Sequence, residues 1–299
     1  MKLRTLSFAI LLAGAPSAAQ DVDKAFTLNV NVDLVQLHVS VVDEQQRPVG
    51  GLVKDHFRVL ENNVAQSIAV FKQEDIPVSL GLVIDNSRSI EPRKQRLDAA
   101  AVSFVRKSNP EDETFIVHFD SEVRLVQDFT SDLWQIQKTL ASAKPFGQTA
   151  VYDALARALD QMERAKYDKK ALLLVTDGID NASTTTLSQI TERLKRDNVM
   201  VFVVGLLSES GGLTAEESLI RIADASGGKA YFPENVEQAR VMMERIARDL
   251  REQYTLGYFP TNPNRDGAWR SVRVEVKPPQ GYPSNLIAHY RHGYYGPKD

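Results

Sequence analysis

Three residues with chemistry-capable side chains sit in one short run: Asp85, Ser87 and Ser89 form Asp-x-Ser-x-Ser. Thr149 follows in a Gly147-Gln148-Thr149 turn, and Asp177 in Thr176-Asp177-Gly178. All five side chains end in oxygen. Hydroxyls of Ser87, Ser89 and Thr149 are neutral donors, while Asp85 and Asp177 add negative charge, directly or through water and hydrogen bonds. A hard cation such as Mg2+ takes six oxygens in a near-octahedral arrangement and gives up its waters reluctantly. Each fragment also has a plainer role. Ser89 can cap a helix, Asp-Gly after a strand is a common turn, and Thr149 can cap the helix that follows it.

Positioning these residues requires strands that stop where they begin. Asp85 ends the apolar run Val78–Ile84, and Asp177 closely follows Ala171–Val175. Thr114–Phe119 and Val199–Val204 are similar runs, as expected for strands buried on both faces of a parallel sheet. Val151, Ala154, Leu155, Ala158, Leu159 and Met162 make an apolar stripe at helical spacing. Further helices are expected over Glu91–Lys107, Asp132–Ala141, Leu187–Arg196, Ala215–Ala225 and Val236–Arg251, with an edge strand at Glu122–Phe129. The pattern is α/β: a doubly wound, mostly parallel sheet with one antiparallel edge strand. Ligands of such sheets bind at the carboxyl ends of the strands, near the switch point.

Period-two patterns flank this region. Phe26, Leu28, Val30, Val32 and Leu34 share one parity, and Val35, Leu37, Val39 and Val41 the other. Alternation returns at Tyr254, Leu256 and Tyr258, and at Val272, Val274 and Val276. Neither end offers enough apolar surface for its own core, so the two are expected to pair as one β-sandwich. The division expected is 1–19 leader, 20–76 N-terminal β region, 77–250 α/β domain and 251–299 C-terminal β region. Lys2 and Arg4, an apolar run to Ala13 and small residues to Ala19 have the make-up of a cleaved secretory signal. The mature chain is therefore expected in the periplasm or medium, with no transmembrane anchor.

Composition narrows the function classes. The chain has 299 residues, 43% of them hydrophobic, and no cysteine, which excludes disulfides, thiol catalysis, zinc–thiolate sites and iron–sulfur clusters. A net charge of −3 gives no basic excess for nucleic acid.

The ordered set Asp85, Ser87, Ser89, Thr149 and Asp177 resembles the metal-ion-dependent adhesion site of the von Willebrand factor type A family. The likeness covers residues 77–250. Phrases such as GQTAVYDALARAL, LLLVTDGIDN, LREQYTLGYFP and RHGYYG also look like a bacterial secreted group of related proteins, abundant in Acidobacteria. The resemblance implies direct ligation by the two serines, Mg2+ or Mn2+ as the ion, and an open position for an Asp or Glu of a partner protein. The function it implies is a non-enzymatic adhesion or protein-binding module. Two rivals stand beside it: a metal-dependent hydrolase or phosphatase, and a structural subunit of an envelope complex. Asp85 as a phospho-accepting nucleophile is disfavoured, because haloacid-dehalogenase-like enzymes place a second Asp two residues on, where this chain has Ser87. His38, His56, His118, His289 and His292 are scattered. Asp120, Asp153 and Asp180 lie near the motif, with turn roles expected. Tyr282, Tyr290, Tyr294 and Tyr295 are expected to pack the β region.

Overall fold

Alternating apolar residues make half-buried strands, and the chain opens with four of them in a computed structural model that describes residues 34–207 and 212–298. The leader and the run Phe26–Val32 lie outside the described residues. The four strands are β1 (Val35–Val42), β2 (Phe57–Glu61), β3 (Val64–Gln66) and β4 (Ile68–Gln73).

The near-continuous apolar runs then form the central layer. The order is β5 (Ser79–Asp85), α1 (Lys94–Lys107), β6 (Glu113–Phe119), β7 (Val123–Thr130), α2 (Leu133–Ser142), α3 (Val151–Met162), β8 (Lys170–Thr176), α4 (Leu187–Arg196), β9 (Met200–Gly205), α5 (Gly212–Ser226), β10 (Ala230–Tyr231) and α6 (Val236–Arg251). Six strands pair in the order β10-β9-β8-β5-β6-β7. All neighbours are parallel except β7, which runs antiparallel along β6. Alternate residues of β5 point to opposite faces. Leu80, Leu82 and Ile84 pack with α1, α2 and α6, while Val83 packs on the other face with α3, α4 and α5. Gly81 shares that second face. A Cβ there would lie 2.4 Å from both Leu172 Cδ2 and Phe115 Cζ, so only glycine leaves room for the Phe115 ring.

The remaining strands are β11 (Tyr254–Tyr258), β12 (Trp269–Val276), β13 (Ile287–His289) and β14 (Gly293–Tyr295). They pair with strands from the other end of the chain. One sheet has the order β13-β1-β11-β4 and the other β14-β12-β2-β3. Between them lies a shared core of Leu37, Val39, Val59, Tyr254, Leu256 and Val274, among others. The chain leaves this sandwich after β4 and returns in β11, its antiparallel neighbour. The whole α/β layer therefore hangs between two adjacent strands. Inside the sandwich, Glu61 Oε2 accepts hydrogen bonds from Tyr258 (2.9 Å) and Tyr294 (2.7 Å). Arg270 Nη1 lies 3.7 Å from Glu61 Oε1, and both side chains are 2% exposed.

Candidate functional site

Chain order reverses around β5. The chain moves from β5 to β6 on one side and later places β8 on the other. The crevice at the carboxyl ends of β5 and β8 is thus the switch point, where such sheets take ligands.

Asp85, the last residue of β5, is 1% exposed. Its Oδ1 accepts the Ser87 backbone N–H at 2.8 Å, and its Oδ2 accepts the Thr176 hydroxyl at 2.6 Å. Asp85 is thereby fixed against the end of β8. The hydroxyls of Ser87 and Ser89 lie 3.0 Å apart, and Ser89 donates to Asp177 Oδ1 at 2.8 Å. Arg93 Nη1 donates to Asp177 Oδ2 at 3.3 Å. Thr149 enters from a third loop and is buried. Its N–H donates to Asn181 Oδ1 (2.9 Å), and its carbonyl accepts from the N–H groups of Asn181 (3.0 Å) and Ala182 (3.2 Å). Thr149 Oγ1 lies 3.3 Å from where a Gly178 Cβ would stand, so that glycine lets the threonine close on the Asp177 turn.

Backbone bonds hold the three loops in register. Asn86 N–H donates to Phe119 O (2.6 Å), Phe146 N–H to Asn86 O (2.9 Å) and Ala150 N–H to Asp120 O (3.0 Å). Gly147 has φ +72°, and a Cβ there would meet Ser121 Oγ at 2.6 Å. The approach of these loops therefore needs glycine at that turn.

The plainer roles are not the ones these hydroxyls take. Ser87 precedes a 3-10 turn at Arg88–Ile90 without a side-chain cap bond, and the N-cap of α1 is Arg93. The helix expected from Glu91 starts at Lys94, after the 3-10 turn and a further turn over Glu91–Arg93. The N-cap of α3 is Ala150, so Thr149 does not cap it. The neighbouring carboxylates do take turn and cap roles. Asp180 accepts from Tyr152 N–H at the start of α3 (3.1 Å), Asp153 from Thr185 N–H (2.8 Å) and Asp120 from Glu122 N–H (2.9 Å). His118 lies in β6, whereas His38 in β1 and His289 in β13 lie on neighbouring strands, with His289 opposite Ser40. Burial pushes His38, His118 and His289 down to about 4, 3 and 4, so each is neutral near pH 7.

Charge is poorly balanced at the rim. Burial pushes the carboxyls of both Asp85 and Asp177 up from their ordinary range. Hydrogen bonds from Thr176 and Ser87 pull Asp85 back, as do Ser89 and Arg93 for Asp177. Two desolvated carboxylates, of which only Asp177 has a guanidinium beside it, suit an added cation. The donor spacing fits one as well. In an octahedron with Mg–O bonds of about 2.1 Å, adjacent oxygens stand about 3.0 Å apart. The separation of the Ser87 and Ser89 hydroxyls equals that edge. No cluster of three or more His, Asp or Glu side chains among the described residues offers an alternative metal centre.

Thr176, Arg93 and Asn181 escaped the sequence reading. Thr176 directly precedes Asp177 at a strand end, which was a usable signal. Arg93 had one too: a cation at the start of a helix, where positive charge is disfavoured. Asn181 carried none.

Residues 80–179 match the von Willebrand factor type A domain family. Among solved structures, von Willebrand factor type A from Catenulispora acidiphila superposes with a TM-score of 0.52 at 13% identity, over 89% of this chain and 75% of that one. Proximal thread matrix protein 1 from the mussel byssus, with a zinc-occupied MIDAS motif, gives 0.53 at 20% identity, over 64% of this chain and 49% of its own. PilB minor pilin from Streptococcus sanguinis gives 0.50 at 15% identity, over 60% of this chain and 63% of its own. No curated protein matches the chain. At these identities the structural likeness is one of fold. The chain carries a von Willebrand factor type A domain, built on a six-stranded, mostly parallel sheet and flanked by antiparallel sheets. No helix of the described residues is long and apolar enough to cross a membrane.

Proposed function

We propose that this protein is a metal-dependent protein-binding module, which holds Mg2+ or Mn2+ at Ser87, Ser89, Thr149, Asp85 and Asp177 and captures an acidic side chain of a partner. The observation that carries this reading is the continuous set of oxygens from Ser87 through Ser89 to Asp177, spaced like the edge of an octahedral shell. Asp85 stands behind it, held by Thr176. In this reading the serine hydroxyls and Thr149 are neutral ligands. The two aspartates contribute charge through their hydrogen bonds to the ligating groups. A bound ion supplies an electrophilic centre for a carboxylate. Phe146 (65% exposed) and Ile179 (40% exposed) lie in the loops that carry Thr149 and Asp177. They give the partner an apolar surface beside its acidic residue.

We read the module as non-enzymatic. Both carboxylate oxygens of Asp85 are engaged, one by the Ser87 N–H and one by the Thr176 hydroxyl, and the side chain is buried, which disfavours it as a nucleophile. Residues 77–250 present the site, and residues 20–76 and 251–299 form the mount. By its sequence phrases we read the chain as resembling the secreted VWFA-related group, with export through a signal cut after Ala19. N-terminal sequencing of the exported protein beginning at Gln20 supports this, and retention of Met1 overturns it.

The test of the site is a calorimetric titration of Mg2+ and Mn2+ into metal-stripped protein, beside Asp177→Ala. Binding near one equivalent in the wild type, lost in the variant, is the expected result. Absence of binding by folded wild-type protein overturns the reading.

A further inference from the structure

We infer that Arg93 is the site's built-in counter-ion: it neutralises Asp177 when no divalent ion is present, competes with that ion, and so sets its affinity. The inference rests on the metal reading above and deepens it. Arg93 Nη1 lies 3.3 Å from Asp177 Oδ2, with the aspartate side chain 3% exposed and the arginine side chain 41%. A second bond from the same nitrogen, to Leu206 O at 3.4 Å, aims the guanidinium at the carboxyl end of β9. Asp177 is therefore divided: one oxygen faces the Ser89 hydroxyl and the other faces Arg93.

The place of Arg93 in sequence argues that it is there for the site. It is the N-cap residue of α1, and no acidic residue occupies the first turn. A helix N-terminus carries partial positive charge and disfavours cations. Lys94, the next residue, is also a cation, and Asp98 of the same helix neutralises it at 2.8 Å. Arg93 takes its partner from across the rim instead. A residue that breaks a local preference marks a place where another interaction compensates. Here that interaction is the ion pair with Asp177, where Arg93 is the charge that offsets the cost of burying the carboxylate.

A divalent ion between Ser87 and Ser89 would share Asp177 with the guanidinium. Two cations on one carboxylate repel, and a partly exposed arginine can swing away into water. Such an arrangement keeps the empty site folded and moderates metal affinity, so that binding responds to ion concentration.

The experiment compares wild type, Arg93→Gln and Arg93→Lys by calorimetry with Mg2+ and by thermal unfolding in chelator. Arg93→Gln should bind Mg2+ about two- to fivefold more tightly, the scale of one partly exposed ion pair. Its melting temperature in chelator should fall and recover when Mg2+ is added. Arg93→Lys, which keeps the charge, should stay near wild type in both. In the wild type, Mg2+ should shift the Arg93 Nε–H resonance, a readout independent of any variant's folding. Equal or weaker Mg2+ affinity in folded Arg93→Gln, or an unmoved Arg93 resonance on metal binding, overturns the inference while the metal reading stands. Failure of wild type to bind metal overturns both.

Discussion

Replacing Asp85 by asparagine should make the metal-free protein more stable while removing its response to metal. Asp85 is almost fully buried and its carboxyl is pushed up by burial, with Asp177 adding repulsion. The effective cost of burying one ion is several kcal/mol, on the order of 3–5. Its two bonds, from Ser87 N–H and the Thr176 hydroxyl, return about 1.5–3 kcal/mol each as charge-assisted hydrogen bonds. Asparagine keeps Ser87 N–H on its oxygen and turns its amide N–H toward Thr176 Oγ1, which already accepts Gly178 N–H at 3.3 Å. The neutral bonds are worth about 0.5–1.5 kcal/mol each, with no ionic penalty to set against them. The balance favours asparagine by about 1–2 kcal/mol, or roughly 2–8 °C in melting temperature. A carboxyl raised above its unfolded value binds its proton more tightly when folded, so the wild type loses stability as pH rises above 3.8 and Asp85 ionises. Asp85→Asn lacks that loss. With Mg2+ at about 100 times its Kd, the wild type gains about 2.7 kcal/mol and overtakes the variant. Scanning calorimetry in chelator and in Mg2+ checks both halves. A variant less stable than wild type in chelator, or one stabilised equally by Mg2+, refutes the reasoning.

Two further outcomes follow from other parts of the fold. Glu61→Gln keeps one oxygen for the Tyr258 and Tyr294 hydroxyls but removes the negative charge opposite the buried Arg270 and sets an amide NH2 against its guanidinium. A loss of about 3–5 kcal/mol is expected. Urea unfolding followed through Trp269 in β12 measures it, and a change below about 1 kcal/mol counts against a paired interior. Asp249 in α6 is pushed up to about 7, first by burial, with Lys229 and Arg245 opposing and Glu252 adding to the rise. Because the folded value lies above the unfolded one, its contribution is full below pH 3.8 and is lost as pH climbs toward 7. Asp249→Asn should flatten that stretch of the stability profile in urea midpoints taken across it. An unchanged slope contradicts the assignment.

Much of the central layer was readable because its signals are local. Helices α4 and α6 begin and end where the sequence placed them, because Thr186 and Asn235 cap them through side-chain acceptors. Strands β5, β6, β8 and β9 announced themselves as near-continuous apolar runs, since almost all of their residues are buried, whereas the two-residue β10 carried no such run. Helix α1 was placed three residues early. Its first expected residues, Glu91–Arg93, form a turn instead, from which Arg93 reaches Asp177.

What the sequence alone determined is the inventory: which oxygens stand at the ends of which apolar runs, and that the flanks alternate with period two. Those properties belong to neighbours in the chain. The tertiary structure decided everything that depends on strands meeting. It set Asp85 against Thr176, 91 positions apart, and Arg93 against Asp177, 84 positions apart. It also joined β1 to β11. Hydrogen bonds and ion pairs act over a few ångströms, whereas sequence spacing gives no distance between segments until sheet order brings them together.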